Sequence, residues 1–175
     1  MPEHEIDLNP VDSITMDAIG KPGQRVFYLQ ARQGDQVLTL LVEKVQIQTL
    51  AIGVEQFLGE LVQRYPELSS ASADYNEAEM HIQAPLDPLF RVGELGLAYD
   101  AERDLMILAA RELAADAQTD EEGNVVRFWC TRSQLRALCR WGLEVSGRGR
   151  AICPLCGEPM EPEGHFCPKK NGHKH

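Results

Sequence analysis

The sequence predicts an α+β fold: two βββα-like halves forming one antiparallel sheet or open barrel under two covering helices, with a cysteine-rich C-terminal appendage. Three observations predict it. Apolar residues alternate in short runs separated by turn residues, twice along the chain. Each set of runs leads into a stretch where apolar residues recur at three- and four-residue steps, the pattern of an amphipathic helix. Three of the five cysteines fall between positions 153 and 167. The expected organisation is a duplicated domain over 1–147, with halves at about 13–65 and 89–147 joined by a linker at 66–88, then a tail at 148–175.

Ser13 to Ile19 reads as a first strand. Lys21-Pro22-Gly23 is a turn, because proline presets one turn position and glycine tolerates positive φ. Arg25 to Arg32 alternates, with Phe27, Leu29 and Ala31 on one face, and Gly34-Asp35 turns the chain again. Val37 to Glu43 follows, with Leu38, Leu40 and Val42 on one face. The period then lengthens: Ile47, Leu50, Ala51, Val54, Phe57, Leu58, Leu61 and Val62 predict a helix that stops near Tyr65, since Pro66 disfavours helical geometry before it. Gly53 and Gly59 inside it cost about 1 kcal/mol each relative to alanine and suggest close helix packing.

The second half repeats the plan. Phe90 to Tyr99 and Leu105 to Arg111 predict strands around a turn at Asp100–Asp104. Val125 to Cys130 predicts a third strand and Ser133 to Val145 a helix. An offset of 88 superimposes Val37–Val42 on Val125–Cys130, Gln46 on Gln134, Ile47 on Leu135 and Leu50 on Leu138. Such self-similarity reads as an internal duplication. Thr131 and Gln134 are placed to form a capping box. Neither half alone covers its apolar face, so the two should fold together. Glu67–Asp87 and the acidic stretch Glu112–Asn124 read as mobile, solvated segments.

The composition, 43% hydrophobic and 25% charged, excludes a wholly disordered, collagen-like or coiled-coil chain. A formal charge of −10 repels phosphate backbones and disfavours nucleic acid as a partner. No run of about 18 apolar residues is present, so no membrane-spanning helix is expected. The N-terminal Met-Pro-Glu-His-Glu lacks the basic start of a secretory signal, and the odd cysteine count suits no disulfide framework. Both point to the cytoplasm.

The tail carries the clearest chemistry. Cys153-Pro-Leu-Cys156 lets two sulfurs face one point, and His165-Phe-Cys167 supplies a second pair. Three thiolates and an imidazole on two tight turns match tetrahedral Zn²⁺ with no open position, a structural site. His173 and His175, near the end of the tail, are the alternatives to His165 as fourth ligand. Residues 148–175 offer only Ile152, Leu155, Met160 and Phe166 as large apolar groups, too little to order 28 residues unaided. Zinc affinities of ~10–16 kcal/mol supply what is missing. Redox exchange by Cys153 and Cys156 is disfavoured by the nearby His165 and Cys167. A zinc deaminase would need a His-x-Glu that His81-Ile82-Gln83 does not provide. Cys130 and Cys139 fall on inner faces and read as buried structural thiols, while His4 and His81 read as surface residues. The tail carries a formal +2 and the remainder −12. Arg148, Arg150, Lys169, Lys170 and Lys174 therefore suit self-docking or a solvated tail better than RNA contact.

The turn Gly20-Lys-Pro-Gly-Gln-Arg25 with Phe27–Arg32, Val42-Glu43-Lys44, Phe90–Gly93, and the ending Cys153-Pro-Leu-Cys156-Gly with Gly164-His165-Phe-Cys167-Pro resemble an uncharacterised bacterial domain-of-unknown-function family, number 3090. The resemblance spans nearly the whole chain. It implies a repeat-containing domain with Cys153, Cys156, His165 and Cys167 as shared motif positions, and no established reaction. It also implies protein partners from phosphate metabolism, kinase-like or phosphatase-like in kind. The expected function is a cytoplasmic zinc-binding scaffold or adaptor of unknown biochemical activity, rather than an enzyme. The alternatives are an enzyme or subunit acting on a phosphorylated small molecule, with Arg25, Arg32, Arg91 and Arg111 as candidate anion holders, and weak RNA contact through the tail.

Overall fold

A strand that the apolar pattern does not reveal comes first in the computed structural model: Glu5–Leu8 (β1). Described are residues 5–21, 23–84, 86–114 and 123–148, with the backbone at 151–152 and 159–160. Ser13–Ile19 (β2), Val26–Gln33 (β3) and Gln36–Val42 (β4) form an antiparallel meander and lead into α1 (Lys44–Arg64). Val92–Asp100 (β5), Leu105–Glu112 (β6) and Val125–Cys130 (β7) form a second meander and lead into α2 (Arg132–Arg148). A short antiparallel pair, Ala151–Ile152 (β8) and Pro159–Met160 (β9), follows.

The fold is α+β with two helices, and in place of the expected single antiparallel sheet or open barrel the strands form two sheets, ordered β2-β3-β4 and β1-β7-β6-β5. Each meander ends in a third strand whose outer edge needs a partner, because an open edge exposes unpaired N–H and C=O groups. The other half supplies it in parallel orientation. β1 runs beside β7 from Glu5↔Val125 to Leu8↔Phe128. Reciprocally, the segment entering β5 meets β4: Leu41 N–H donates to Phe90 O at 3.0 Å and Leu89 N–H to Thr39 O at 2.8 Å. Where β1 passes into β2, Val11 N–H donates to Trp129 O (2.8 Å) and Asp12 N–H to Arg32 O (2.7 Å). The two sheets are thus joined at both ends.

The helices start 88 positions apart, at Lys44 and Arg132, and are capped alike. Gln46 Oε1 accepts the Glu43 N–H at 2.8 Å while its Nε2 donates to Val92 O at 3.0 Å. Gln134 Oε1 accepts the Thr131 N–H at 2.8 Å while its Nε2 donates to Asp12 O at 3.3 Å. The expected Thr131 box closes, since Thr131 Oγ1 accepts the Gln134 N–H at 2.9 Å. Each N3 glutamine thus satisfies an orphan helix donor and ties its helix to the start of the opposite half's meander, at Val92 or at Asp12 just before β2. α1 ends where Pro66 dictates, with Tyr65 N–H on Leu61 O at 2.7 Å.

One core spans both halves, from Leu8, Met16, Leu29 and Leu40 through Ile47 and Val54 to Met106, Phe128 and Leu138. Helix packing is closest at a glycine other than those expected. An added Cβ at Gly59 meets nothing within 4 Å, and one at Gly53 meets only Leu97 Cδ1 at 3.9 Å. At buried Gly142 it would stand 2.8 Å from Met16 Sδ and 2.9 Å from Ile47 Cγ2. Gly142 lets α2 approach both β2 and α1.

Candidate functional site

The candidate ligands Cys153, Cys156, His165 and Cys167, and the alternatives His173 and His175, lie outside the described residues, as does most of the acidic stretch between Ala114 and Gly123. The backbone flanking the first cysteine pair is described. Ala151 pairs with Met160 and Ile152 with Pro159, so the chain on either side of 153–158 lies side by side. By residue type, a donor set of soft thiolates plus imidazole suits tetrahedral zinc. Among the described residues no three of His, Cys, Asp and Glu gather as a metal cluster. Arg148, at the root of the tail, is engaged by the body. It bonds Glu77, reaches Glu144 at 3.2 Å and stacks over the Trp141 ring at 5.1 Å.

Cys130 on β7 and Cys139 on α2 are buried and free, as expected. Burial pushes both thiols up to about 12. A thiol is nucleophilic only as thiolate, so these two are inert at neutral pH.

The segment expected to be a mobile linker is instead packed along α2. Arginines spaced by four place their guanidinium groups on one helix face. Arg132 Nη1 donates to Ser69 O (2.6 Å) and Arg136 Nη1 to Ala71 O (2.7 Å). Arg140 faces Asp74 at 3.7 Å, and Arg148 bonds Glu77 beyond it. Ser72 N–H donates to Ser133 Oγ at 2.9 Å, and Tyr75 sets its ring edge against Trp141 at 5.5 Å. The segment then returns across β2 and β3. Thr15 Oγ1 donates to Met80 O, and Gln30 exchanges two hydrogen bonds of 2.9 Å with the Gln83 backbone. Residues 66–84 form a strap, and side chains of the body bond its backbone at Ser69, Ala71, Ser72, Met80, Ile82 and Gln83.

Between strap, β2 and the start of α2 lies a cleft of ≈ 280 Å³, with Asp12, Thr15, Gln30, Arg32, Tyr75 and His81 among its walls. His81, expected as a surface histidine, is half exposed, and its Nδ1 lies 3.0 Å from Asp17 Oδ2. Its ring also meets Trp141 edge-on at 5.4 Å. The Trp141 indole N–H donates to Met16 O at 2.6 Å.

At the other end of the strap Arg132, with only 8% of its side chain exposed, grips Asp104 through Nε–Oδ1 (2.8 Å) and Nη2–Oδ2 (3.1 Å). Tyr99 donates its hydroxyl to the same carboxylate at 2.7 Å. The Arg132 hydrogen bonds hold the Asp104 carboxyl below its usual range, and burial with the Asp104 bond pushes Tyr99 up to about 12. Because Arg132 also donates to Ser69 O, this node braces the strap.

The candidate anion holders are not brought together. Arg25 bonds Val145 O, Arg32 bonds Gln83, Arg91 bonds Glu43, and Arg111 faces Glu94 at 3.8 Å. The strap and its arginines were missed by reading the sequence. Their signal was Arg132, Arg136 and Arg140 at a four-residue spacing.

No helix among the described residues is long and apolar enough to cross a membrane. The family model described as "Protein of unknown function (DUF3090)" matches residues 6–167. No curated protein and no solved structure matches the chain.

Proposed function

This chain belongs to the DUF3090 family, and from that starting point we propose that it is a cytoplasmic scaffold or adaptor whose C-terminal region is organised by a structural zinc ion. The ligands are Cys153, Cys156, Cys167 and His165, with His173 or His175 the alternative fourth donor. The observation that carries the reading is the β8–β9 pairing around 153–158, set against the Cys-x-x-Cys and His-x-Cys spacing. A closed four-ligand set holds no open coordination position, so the metal contributes folding energy rather than chemistry. The packing of the body supports a binding role. Its thiols are buried, its titratable node is braced, and Arg25, Arg32, Arg91 and Arg111 are each engaged separately. The partner is a protein; the family resemblance favours a kinase-like or phosphatase-like protein of phosphate metabolism. Nucleic acid is disfavoured by the −10 charge.

Elemental analysis of full-length protein purified under reducing conditions tests the metal. Stoichiometric zinc that is lost in Cys153→Ser is the expected result, and protein that is zinc-free and refuses added zinc refutes it. Turnover of a phosphorylated small molecule by the metal-loaded protein, abolished by point changes in one cleft, would overturn the scaffold role.

A further inference from the structure

The repeat places an equivalent groove beside each helix, and only one of the two is roofed among the described residues. Beside α2, Ser133, Gln134 and Ala137 face Asp12–Thr15, and the strap lies across them through Ser72, Tyr75 and Met80. Beside α1, the residues 88 positions earlier, Val45, Gln46 and Thr49, face Gly93–Leu97 across ≈ 420 Å³. The matched glutamines make the matched bonds, Gln46 to Val92 O and Gln134 to Asp12 O. Among the described residues, the walls of the α1 groove come from α1 and β5. Val45 and Ile52 on α1 are each 63% exposed, and β5 is the end strand of its sheet.

We propose that the segment following α2, residues 149–175, lies in the α1–β5 groove, as the segment following α1 lies in the α2–β2 groove. Four observations support this occupant. Each segment leaves the helix of one half and has the groove of the other half to cover. Both are long enough to run along a helix, since 65–88 separates α1 from the second half and at least residues 149–175 follow α2. The charges are complementary, because residues 149–175 carry a formal +1 and the remainder −11. The chemistry matches as well. Where α2 presents Arg136 and Arg140 to the strap, α1 carries Gln48 and Ile52. An occupant there is gripped by apolar contact with Val45, Leu95 and Leu97, and the tail brings Ile152, Leu155, Met160 and Phe166. Apolar area removed from water on both sides drives the docking. The inference stands on the repeat and does not require the metal.

A photoreactive benzophenone side chain at position 45 of the full-length protein, with zinc supplied, reads the occupant. Mixing unlabelled and ¹⁵N-labelled chains separates contacts within a chain from contacts between copies. The expected crosslink joins position 45 to residues 149–175 of the same chain. A crosslink to a second copy or elsewhere in the chain, or none, overturns the proposal. An independent readout is Val45→Asp, a change that an aspartate in the first helical turn tolerates. Proteolytic cutting within 149–175 should speed up several-fold while cutting within the strap is unchanged. Equal rates in Val45→Asp and wild type also overturn it. Zinc content, measured separately, reports on the metal and not on the docking.

Discussion

Replacing Gly142 and Gly59 by alanine should move stability in opposite directions, although both glycines sit inside helices. At Gly59 the new methyl meets nothing within 4 Å, so Gly59→Ala gains only helix propensity, about 1 kcal/mol. At Gly142 the same gain is opposed by two contacts, 2.8 Å to Met16 Sδ and 2.9 Å to Ile47 Cγ2, where ordinary contact begins at 3.4 Å. Met16 and Ile47 are both buried. Methionine can bend away, but a β-branched isoleucine in a helix keeps one χ1 well. Overpacking of this kind costs about 2 kcal/mol, leaving Gly142→Ala less stable by about 1 kcal/mol. The two variants therefore differ by about 2 kcal/mol, or about 4–8 °C in Tm for a chain of this size. Urea unfolding with an unchanged m-value measures the difference as a shift in midpoint. If Gly142→Ala is as stabilising as Gly59→Ala, the close crossing of α2 over β2 and α1 is refuted.

The Arg132–Asp104 pair gives a pH dependence of definite sign. The folded carboxyl is depressed by Arg132, so its stabilisation is complete above the unfolded value of about 3.9 and is lost as pH falls through the folded value. Asp104→Asn should cost about 1–2 kcal/mol at pH 7, reduced because the Asp104 side chain is 44% exposed. The cost should shrink on acidification, and a gap that stays constant down to pH 2 contradicts the pairing. Tyr99, raised to about 12, contributes stability below its unfolded value of about 10 that is lost as pH climbs toward 12. Tyr99→Phe should flatten that alkaline limb of the denaturation curve. Gln46→Leu removes both the cap acceptor and the donor to Val92. It should lower stability by about 1–2 kcal/mol and speed amide exchange at Lys44–Ile47, and unchanged exchange there counts against the cap. Cys130 and Cys139, buried with thiols raised to about 12, should resist alkylation at pH 8 until the protein is unfolded. Rapid native labelling of either contradicts their placement.

What was legible in the sequence was whatever had a local period. β2 and β7 coincide with their expected bounds at Ser13–Ile19 and Val125–Cys130, and the Thr131–Gln134 box is made as its spacing suggests. What escaped depends on partners remote in sequence. β1 has only four residues, too short for alternation to register, and its partner β7 lies more than a hundred positions away. The strap reads as linker because Ala, Ser and Glu dominate it. Its order comes from the carbonyls of Ser69 and Ala71, which any composition would offer, meeting Arg132 and Arg136. The same limit applied to Gly53 and Gly59, since a glycine's packing partner is not written beside it. The candidate metal ligands were legible as spacing alone, and the described structure adds the strand pairing that flanks them.

The scaffold account rests most directly on the cation at the tail. Hydrogen exchange of the full-length protein, read by mass spectrometry with zinc bound and after chelation, tests it in one measurement. The account predicts that chelation strips amide protection from residues 151–167 while β2–β7, α1 and α2 keep theirs. Identical protection of the tail in the two states would contradict it.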